Sequence, residues 1–462
     1  MSEITETISE TIAAFATPPG VGGVAVLRIS GSDAERVLRA VFRRADGRTE
    51  WDSHVLVFGW VINSDEVIDE AMAVLMRAPR SFTREDVAEI HCHGGVAVTS
   101  RVLAAALAHG ARPAQPGEFT RRAFENGRID LAQAEAVMRL IGARGEAAAR
   151  AAVRQLNGGV SKFAKDISDE LIKLLAAIEA AVDFPDEVEE TETAAHVADC
   201  ADELAHKLIH ACDSLAGRIL DDGLDAVIAG PPNAGKSSLL NALLAEDRAI
   251  VHQTPGTTRD VLTAELNVAG IRVNLSDTAG LRDTDDPVEL IGVERARSRL
   301  AQADLALILF DASEPIPIEY ARPTAELPEG RRVILLNKSD LGIAADSTIF
   351  DTITPDAPRL SISAKTGEGL DALRELLAER ASALTPESAT LTSARHVESA
   401  REAAQALREA AANLRLPDLH GAALDLAAID LRGALHSLSA ITGESADEAV
   451  LDSIFSTFCV GK

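Results

Sequence analysis

The stretch Leu224-Asp-Ala-Val-Ile-Ala-Gly-Pro-Pro-Asn-Ala-Gly-Lys-Ser-Ser-Leu-Leu-Asn-Ala-Leu-Leu244 decides the fold. Leu224 to Ala229 is short and apolar, as a buried strand is, and Ser238 to Leu244 has helical character. Between them lies Gly230 to Ser237, spaced as G-x-x-x-x-G-K-S, the pattern of a phosphate-binding loop. In such a loop the backbone N–H groups of Asn233, Ala234, Gly235, Lys236, Ser237 and Ser238 cradle phosphates at a helix N-terminus. The Lys236 ammonium reaches the β- and γ-oxygens, and the Ser237 hydroxyl binds Mg²⁺.

Four further signals follow in the order a guanine-nucleotide-binding domain requires. Thr257-Thr258-Arg259-Asp260 supplies a switch threonine, Thr258, which completes the Mg²⁺ shell, and His252-Gln253-Thr254-Pro255-Gly256 before it are further candidate nucleotide-binding residues. Asp277-Thr278-Ala279-Gly280 follows an apolar-rich stretch; its Asp holds Mg²⁺ through water and its Gly offers an N–H to the γ-phosphate. Asn337-Lys338-Ser339-Asp340 follows the strand-like Val333 to Leu336. The Asp340 carboxylate accepts from both N1–H and the 2-amino group of guanine, a donor pair adenine lacks. Ser363-Ala364-Lys365 then closes over the base.

Composition sets the frame. The 462 residues are 47% apolar and 25% charged with a net charge of −27, so two to four globular, alanine-rich domains are expected. That charge opposes non-specific adhesion to nucleic acid or membrane. The four cysteines, Cys92, Cys200, Cys212 and Cys459, lack metal spacing, and a disulfide framework is not expected. With no signal peptide and no membrane-spanning run, the expected compartment is the cytoplasm.

In chain order, Val24–Ile29, Ala71–Met76 and Asp86–His91 read as strands, and Val96–His109 as a helix ended by Gly110. The first 125 residues thus form a small α/β domain. Its segments Thr17 to Gly23, His91 to Gly95 and Pro116 to Thr120 carry glycines suited to turns or close approach. His91, Cys92 and His93 invite a metal reading, but neighbouring side chains on a strand point to opposite faces. Asp130 with Gln133 forms a capping box ahead of a helical pattern. Further helices are expected over roughly 145–182 and 194–220, broken by the acidic run Phe184 to Glu190. Helical patterns return over 386–414, 421–440 and 446–458, the last with a capping box of Ser445 and Glu448. The economical architecture is a multidomain α/β plus all-α protein. A helical domain (126–221 and 381–462) is split by an inserted Ras-like GTPase domain (222–380), behind an N-terminal domain (1–125).

Catalysis needs help from outside the usual place. The residue after the D-x-x-G motif is Leu281, which cannot orient a water. Asn233 can hold a monovalent cation against the phosphates together with carbonyls of His252 to Thr257, or it can merely cap the loop. Glu289 can orient the attacking water, or be a surface acid. Arg259 ranks lower, because Asp260 beside it can pair with it.

Taken together the residues resemble the tRNA-modification GTPase MnmE (TrmE) family over essentially the whole chain. The carriers are Phe458-Cys-Val-Gly-Lys462, Gly22 to Ser30, Phe82 to Asp86, Pro116 to Phe119 and Ile129 to Glu135. The resemblance implies a potassium-stimulated GTPase whose G domains meet across a homodimer. Asn233, His252, Thr254 and Thr257 would surround K⁺, Ser237 and Thr258 would bind Mg²⁺, and Glu289 would be the water-orienting acid beside Lys236. His252 replaces an expected threonine, so only its backbone carbonyl carries over. The resemblance also implies an N-terminal site for 5-formyl- or 5,10-methylene-tetrahydrofolate using Arg28, Glu85, Arg128 and Lys462. Arg128 stands where the family often has lysine. Cys459 is a candidate thiol beside that site, or a structural residue. The implied partner is the flavoprotein MnmG (GidA), in a heterotetramer that brings most of the tRNA contact. The implied product is an aminomethyl or carboxymethylaminomethyl group at C5 of the wobble uridine. A rival reading is a GTP-gated regulatory switch without one-carbon chemistry; a scaffold with vestigial hydrolysis is a third, opposed by the Mg²⁺ ligands.

Overall fold

A computed structural model describes residues 10–184, 186–246, 263–277, 300, 302–386, 390–416 and 420–462. By compactness the chain forms two units. One comprises residues up to Met138, Gln155–Ala180 and Ala428–Lys462; the other comprises Arg139–Arg154 and Ala181–Ala427.

In the first unit the strands β1 (Ile12–Phe15), β2 (Gly22–Ser30), β3 (Phe42–Arg44), β4 (Val57–Asn63), β5 (Glu66–Met76), β6 (Val87–Gly94) and β7 (Arg112–Pro113) form one sheet ordered β3-β4-β5-β6-β2-β1-β7. Its core alternates along the strands: Leu27 and Ile29 of β2 and Ile90 of β6 are fully buried, as a one-faced antiparallel sheet requires. The helices Ala34–Val41 and Val96–Ala108 cover that face through Val37, Leu38, Val102 and Ala105. Gly110, at φ +103, follows the second helix, where a left-handed residue ends the ladder.

After the sheet come the helices Glu118–Glu125 and Leu131–Gly142. Asp130 and Gln133 cap the latter reciprocally, side chain to backbone N–H, at 2.8 and 3.0 Å. The final helix, Glu448–Ser456, packs Leu451, Phe455 and then Phe458 with Leu131 and Ala134. Ser445 is not its cap. Asp447 occupies the N-cap position, and the Ser445 hydroxyl is spent on the His436 carbonyl and Ser439. Glu448 turns instead to Arg121.

The second unit contains β8 (Leu224–Ala229), β9 (Thr263–Val268), β10 (Ile271–Asp277), β11 (Leu305–Asp311), β12 (Arg332–Asn337) and β13 (Arg359–Ser361), ordered β13-β12-β11-β8-β10-β9. All pairings are parallel except the edge pair β9–β10. The central strands Leu305–Asp311 and Arg332–Asn337 are buried almost throughout, as strands covered on both faces must be. The expected helix over 145–182 is two, Glu146–Leu156 and Gly159–Asp183, parted at Gly158 with φ +86. The expected 194–220 helix is likewise two, Glu190–Ala211 and Ser214–Asp222, because the Asp213 carboxylate caps Ala216 N–H at 2.8 Å and starts a new helix.

The helices Glu190–Ala211 and Ala394–Leu414 pack on each other through alanine-rich buried faces that include Ala198, Ala201 and Ala205 of the first and Ala400, Ala403 and Ala404 of the second. Small side chains let the axes approach closely. Leu391 and Cys212 form a parallel bridge. Leu391 N–H donates to the Ala211 carbonyl and Asp213 N–H to the Leu391 carbonyl, both at 3.0 Å.

Candidate functional site

The loop Gly230 to Lys236 joins β8 to the helix Lys236–Glu246. Gly230 has φ +144, and a Cβ there would lie 2.0 Å from the Leu309 carbonyl oxygen of β11. Only glycine permits that approach. Asn233 sits in the left-handed region at φ +60, a conformation asparagine tolerates better than most. Lys236 is buried, and its Nζ donates to the carbonyls of Gly230 and Pro231 at 3.0 and 2.8 Å. Its ammonium therefore lies inside the loop, where phosphate oxygens would be cradled. Ser237 is the second residue of that helix.

Asn337 ties three signals together. Its Nδ2 donates to the Ala234 carbonyl at 2.8 Å, and its Oδ1 accepts from Ala364 N–H at 2.9 Å. A phosphate loop, the end of β12 and the Ser363 turn are thus fastened by one buried amide. Ser363 Oγ donates to Asp340 Oδ1 at 2.7 Å, which orients the carboxylate. Lys338, in the left-handed region at φ +65, donates to Asp311 Oδ2 at 2.6 Å. Burial would raise the Asp311 carboxyl, but hydrogen bonds from Lys338 and Ser313 hold it below its ordinary value. Asn337, Lys338, Asp340, Ser363, Ala364 and Lys365, with Gly235 and Ser238, line one cavity of about 600 Å³, of a size for a nucleoside. His252, Gln253, Thr254, Pro255, Gly256, Thr257, Thr258, Thr278, Ala279, Gly280, Arg259 and Glu289 lie outside the described residues, as does the Asp277 side chain.

The second group is in the first unit. Arg28 of β2 is fixed by Glu89 of β6 at 2.8 Å, and its guanidinium stands 5.5 Å from the centre of the Phe82 ring. Arg128 covers the same ring at 4.8 Å and donates to the Phe82 carbonyl. Phe82 is thereby flanked by both arginines. Glu85 accepts from Ser30 Oγ at 2.7 Å and from Arg122 at 3.1 Å. Arg122, buried and also bonded to Glu118 and the Glu10 carbonyl, positions Glu85 and had no sequence signal: its partners are remote or ambiguous in the chain. Arg84 and Phe82, of the stretch Phe82 to Asp86, belong to the same group.

The C-terminal residues pack against the same sheet. Val460 bridges Pro116, and Gly461, at φ +94, presses on β1 so closely that a Cβ would lie 2.0 Å from the Phe15 carbonyl oxygen. Phe15 neighbours Ala14, the strand partner of Arg28. Cys459 is exposed, and Lys462 N–H donates to the Cys459 carbonyl. The His91-Cys92-His93 side chains diverge as strand geometry demands. His91 meets Glu89, His93 meets Asp69, and Cys92 is buried with its thiol pushed up to about 11 by burial.

Among the described residues no helix is long and apolar enough to cross a membrane. A family model described as the GTP-binding protein TrmE N-terminus matches residues 11–128, and one described as the MnmE helical domain matches 131–459. The tRNA modification GTPase MnmE of Symbiobacterium thermophilum is 47% identical over 98% of this chain and 99% of its own length. The protein of that name from Heliobacterium modesticaldum is 43% identical over 98% and 100%. Among solved structures, the G domain of the Thermotoga maritima FeoB iron transporter is 27% identical over 34% of this chain and 98% of its own, with a TM-score of 0.27. With relatives this similar from end to end, and family models matching residues 11–128 and 131–459, the chain belongs to the tRNA modification GTPase MnmE family.

Proposed function

We propose that this chain is a potassium-stimulated GTPase that uses a bound tetrahydrofolate, with a flavoprotein partner, to modify C5 of the wobble uridine of certain tRNAs. Family membership makes it a GTPase acting in tRNA modification; the cation, the folate and the partner are the proposal. The working divisions are an N-terminal folate domain (1–125), a helical domain (126–221 and 381–462) and a G domain (222–380), acting in a cytoplasmic homodimer.

The observation that carries this reading is the tail. A nucleotide-only switch has no use for Gly461 wedged against β1, the strand paired with the one that carries Arg28, or for two arginines flanking an aromatic ring. Such a ring and cations suit a flat heterocycle bearing a glutamate tail, and Glu85 suits the donor edge of a pterin. In the G domain, Asp340 would read guanine and the loop N–H groups would hold the phosphates. Bound Mg²⁺ and K⁺ supply positive charge at the β- and γ-oxygens. Ser237 and Thr258 would hold the first, and Asn233 with His252, Thr254 and Thr257 the second. Glu289 would orient the attacking water.

The test is GTP hydrolysis by the full chain in a series of alkali chlorides, with 5-formyl-tetrahydrofolate binding measured in parallel. The reading expects stimulation by K⁺ over Na⁺, and folate binding abolished by Arg28→Ala. Cation-indifferent hydrolysis would remove the potassium role. Absence of folate binding would leave a GTP switch without one-carbon chemistry.

A further inference from the structure

A cleft of about 1,010 Å³ opens beside Arg128 in the first unit. Its walls are the turn Phe124 to Gln133, the helix Gly159–Asp183 and the end of the helix His420–Thr442. That volume sits at the top of the roughly 300–1,000 Å³ range of small-molecule sites. The candidate folate residues do not need it: Arg28, Glu85 and the tail lie outside its lining. Arg128 belongs to both.

The electrostatics favour an anion at the shared end. Arg84 donates to the Asn126 carbonyl and Arg128 to the Phe82 carbonyl. Neither meets a carboxylate among the described residues, in a chain with 72 acidic side chains against 45 Lys and Arg. Burial, then the neighbouring charges of Arg84 and Arg28, push the Arg128 guanidinium below its ordinary value. Two gathered cations without a counter-charge repel each other until an anion joins them.

The rest of the lining carries charged and hydroxyl side chains. Lys165, His436 and Arg432 face the cleft, with Arg432 held by Glu179 at 2.9 Å. Ser161 lines the same wall, and its buried Oγ has no hydrogen-bond partner among the described residues. An orphaned buried hydroxyl is costly and suits a ligand's polar group. Three acids also line the cleft. Asp130 is engaged by Gln133 N–H, while Asp169 and Glu444 offer acceptors.

We propose that this cleft binds the γ-linked oligoglutamate extension of a folate whose pteroyl end occupies the neighbouring Arg28–Phe82 site. Each added glutamate brings one carboxylate and one amide N–H; Lys165 would pair a carboxylate, and the acceptors would take the N–H groups. The inference rests on the folate reading above and narrows the substrate to folates with several glutamates.

The experiment is isothermal titration of the full chain with 5-formyl-tetrahydrofolate carrying one or three glutamates, repeated in Lys165→Glu. Lys165 is an exposed side chain outside the folate and nucleotide residues, so the monoglutamate Kd and the GTPase rate should stay at wild-type values. The triglutamate should bind about tenfold tighter than the monoglutamate, the worth of one charge-assisted hydrogen bond. Lys165→Glu should erase that ratio. Equal affinities in the wild type would overturn the inference while sparing the folate reading. An unchanged ratio in Lys165→Glu would also overturn it, placing the extension elsewhere. Failure of both ligands to bind would sink the folate reading and this inference together.

Discussion

Removing the Asn337 amide is the sharpest probe of the nucleotide site. The side chain is buried and makes two hydrogen bonds, to the Ala234 carbonyl and from Ala364 N–H. Truncation to alanine orphans a carbonyl and an N–H, at about 1–3 kcal/mol each when both stay dry. In the nucleotide-free chain the two loops can separate and rehydrate, which recovers part of that cost. With bound nucleotide they cannot, so about 2–3 kcal/mol should fall on affinity. At about 1.4 kcal/mol per factor of ten, GDP should bind about 30- to 150-fold more weakly. Asn337→Asp keeps the acceptor for Ala364 but sets a carboxylate oxygen against the Ala234 carbonyl, so it should bind at least as weakly. The assay is titration with a fluorescent GDP, with thermal unfolding as a control for folding. A Kd within about threefold of wild type, with an unmoved Tm, would show that this amide does not assemble the site.

Other outcomes can be measured alongside. Asp340→Asn should weaken GTP and favour xanthosine triphosphate, read by competition, because the amide's N–H₂ suits the xanthine carbonyl; retained guanine preference would move the base elsewhere. Asn233→Ala should abolish any difference between hydrolysis rates in K⁺ and Na⁺, and persistence of the difference would free Asn233 of that role. The Asp311 carboxyl is held below its ordinary value, so the stability its pairing confers is present above the ordinary carboxylate range. It is lost as pH falls through the lowered pKa. Denaturant midpoints should therefore fall less between pH 6 and pH 3 in Lys338→Met than in the wild type, and parallel curves would contradict the assignment. Gly461→Ala should loosen the tail and weaken folate binding with GTP affinity unchanged, since its Cβ would collide with the Phe15 carbonyl.

Local chemistry was legible where a ligand or a cap dictates residues at fixed spacing. Gly230 to Ser237 reads as a phosphate loop because few other sequences satisfy its backbone. Asp130 and Gln133 cap each other because both halves of the motif lie within one turn. Ser445 and Glu448 show the same pattern, yet distant groups outbid it: Ser439 and the His436 carbonyl take the hydroxyl, and Arg121 takes the carboxylate. Helix ends were blurred at Gly158 and Asp213, where one residue suffices to divide a continuous apolar pattern. Arg122 was invisible because Glu85, its partner, lies 37 positions away. The stacking on Phe82 was hidden for that reason too: it joins Arg28 and Arg128, which lie far apart in the chain.

The bridge between Cys212 and Leu391 has an engineering consequence. The chain departs at one of these residues and returns at the other, side by side, so the intervening segment is a cassette plugged into a socket that is already closed. Its excision and replacement by a short glycine linker should leave the alanine-rich helix pair folded, and the excised cassette should find its two ends near enough to be ligated into a circle.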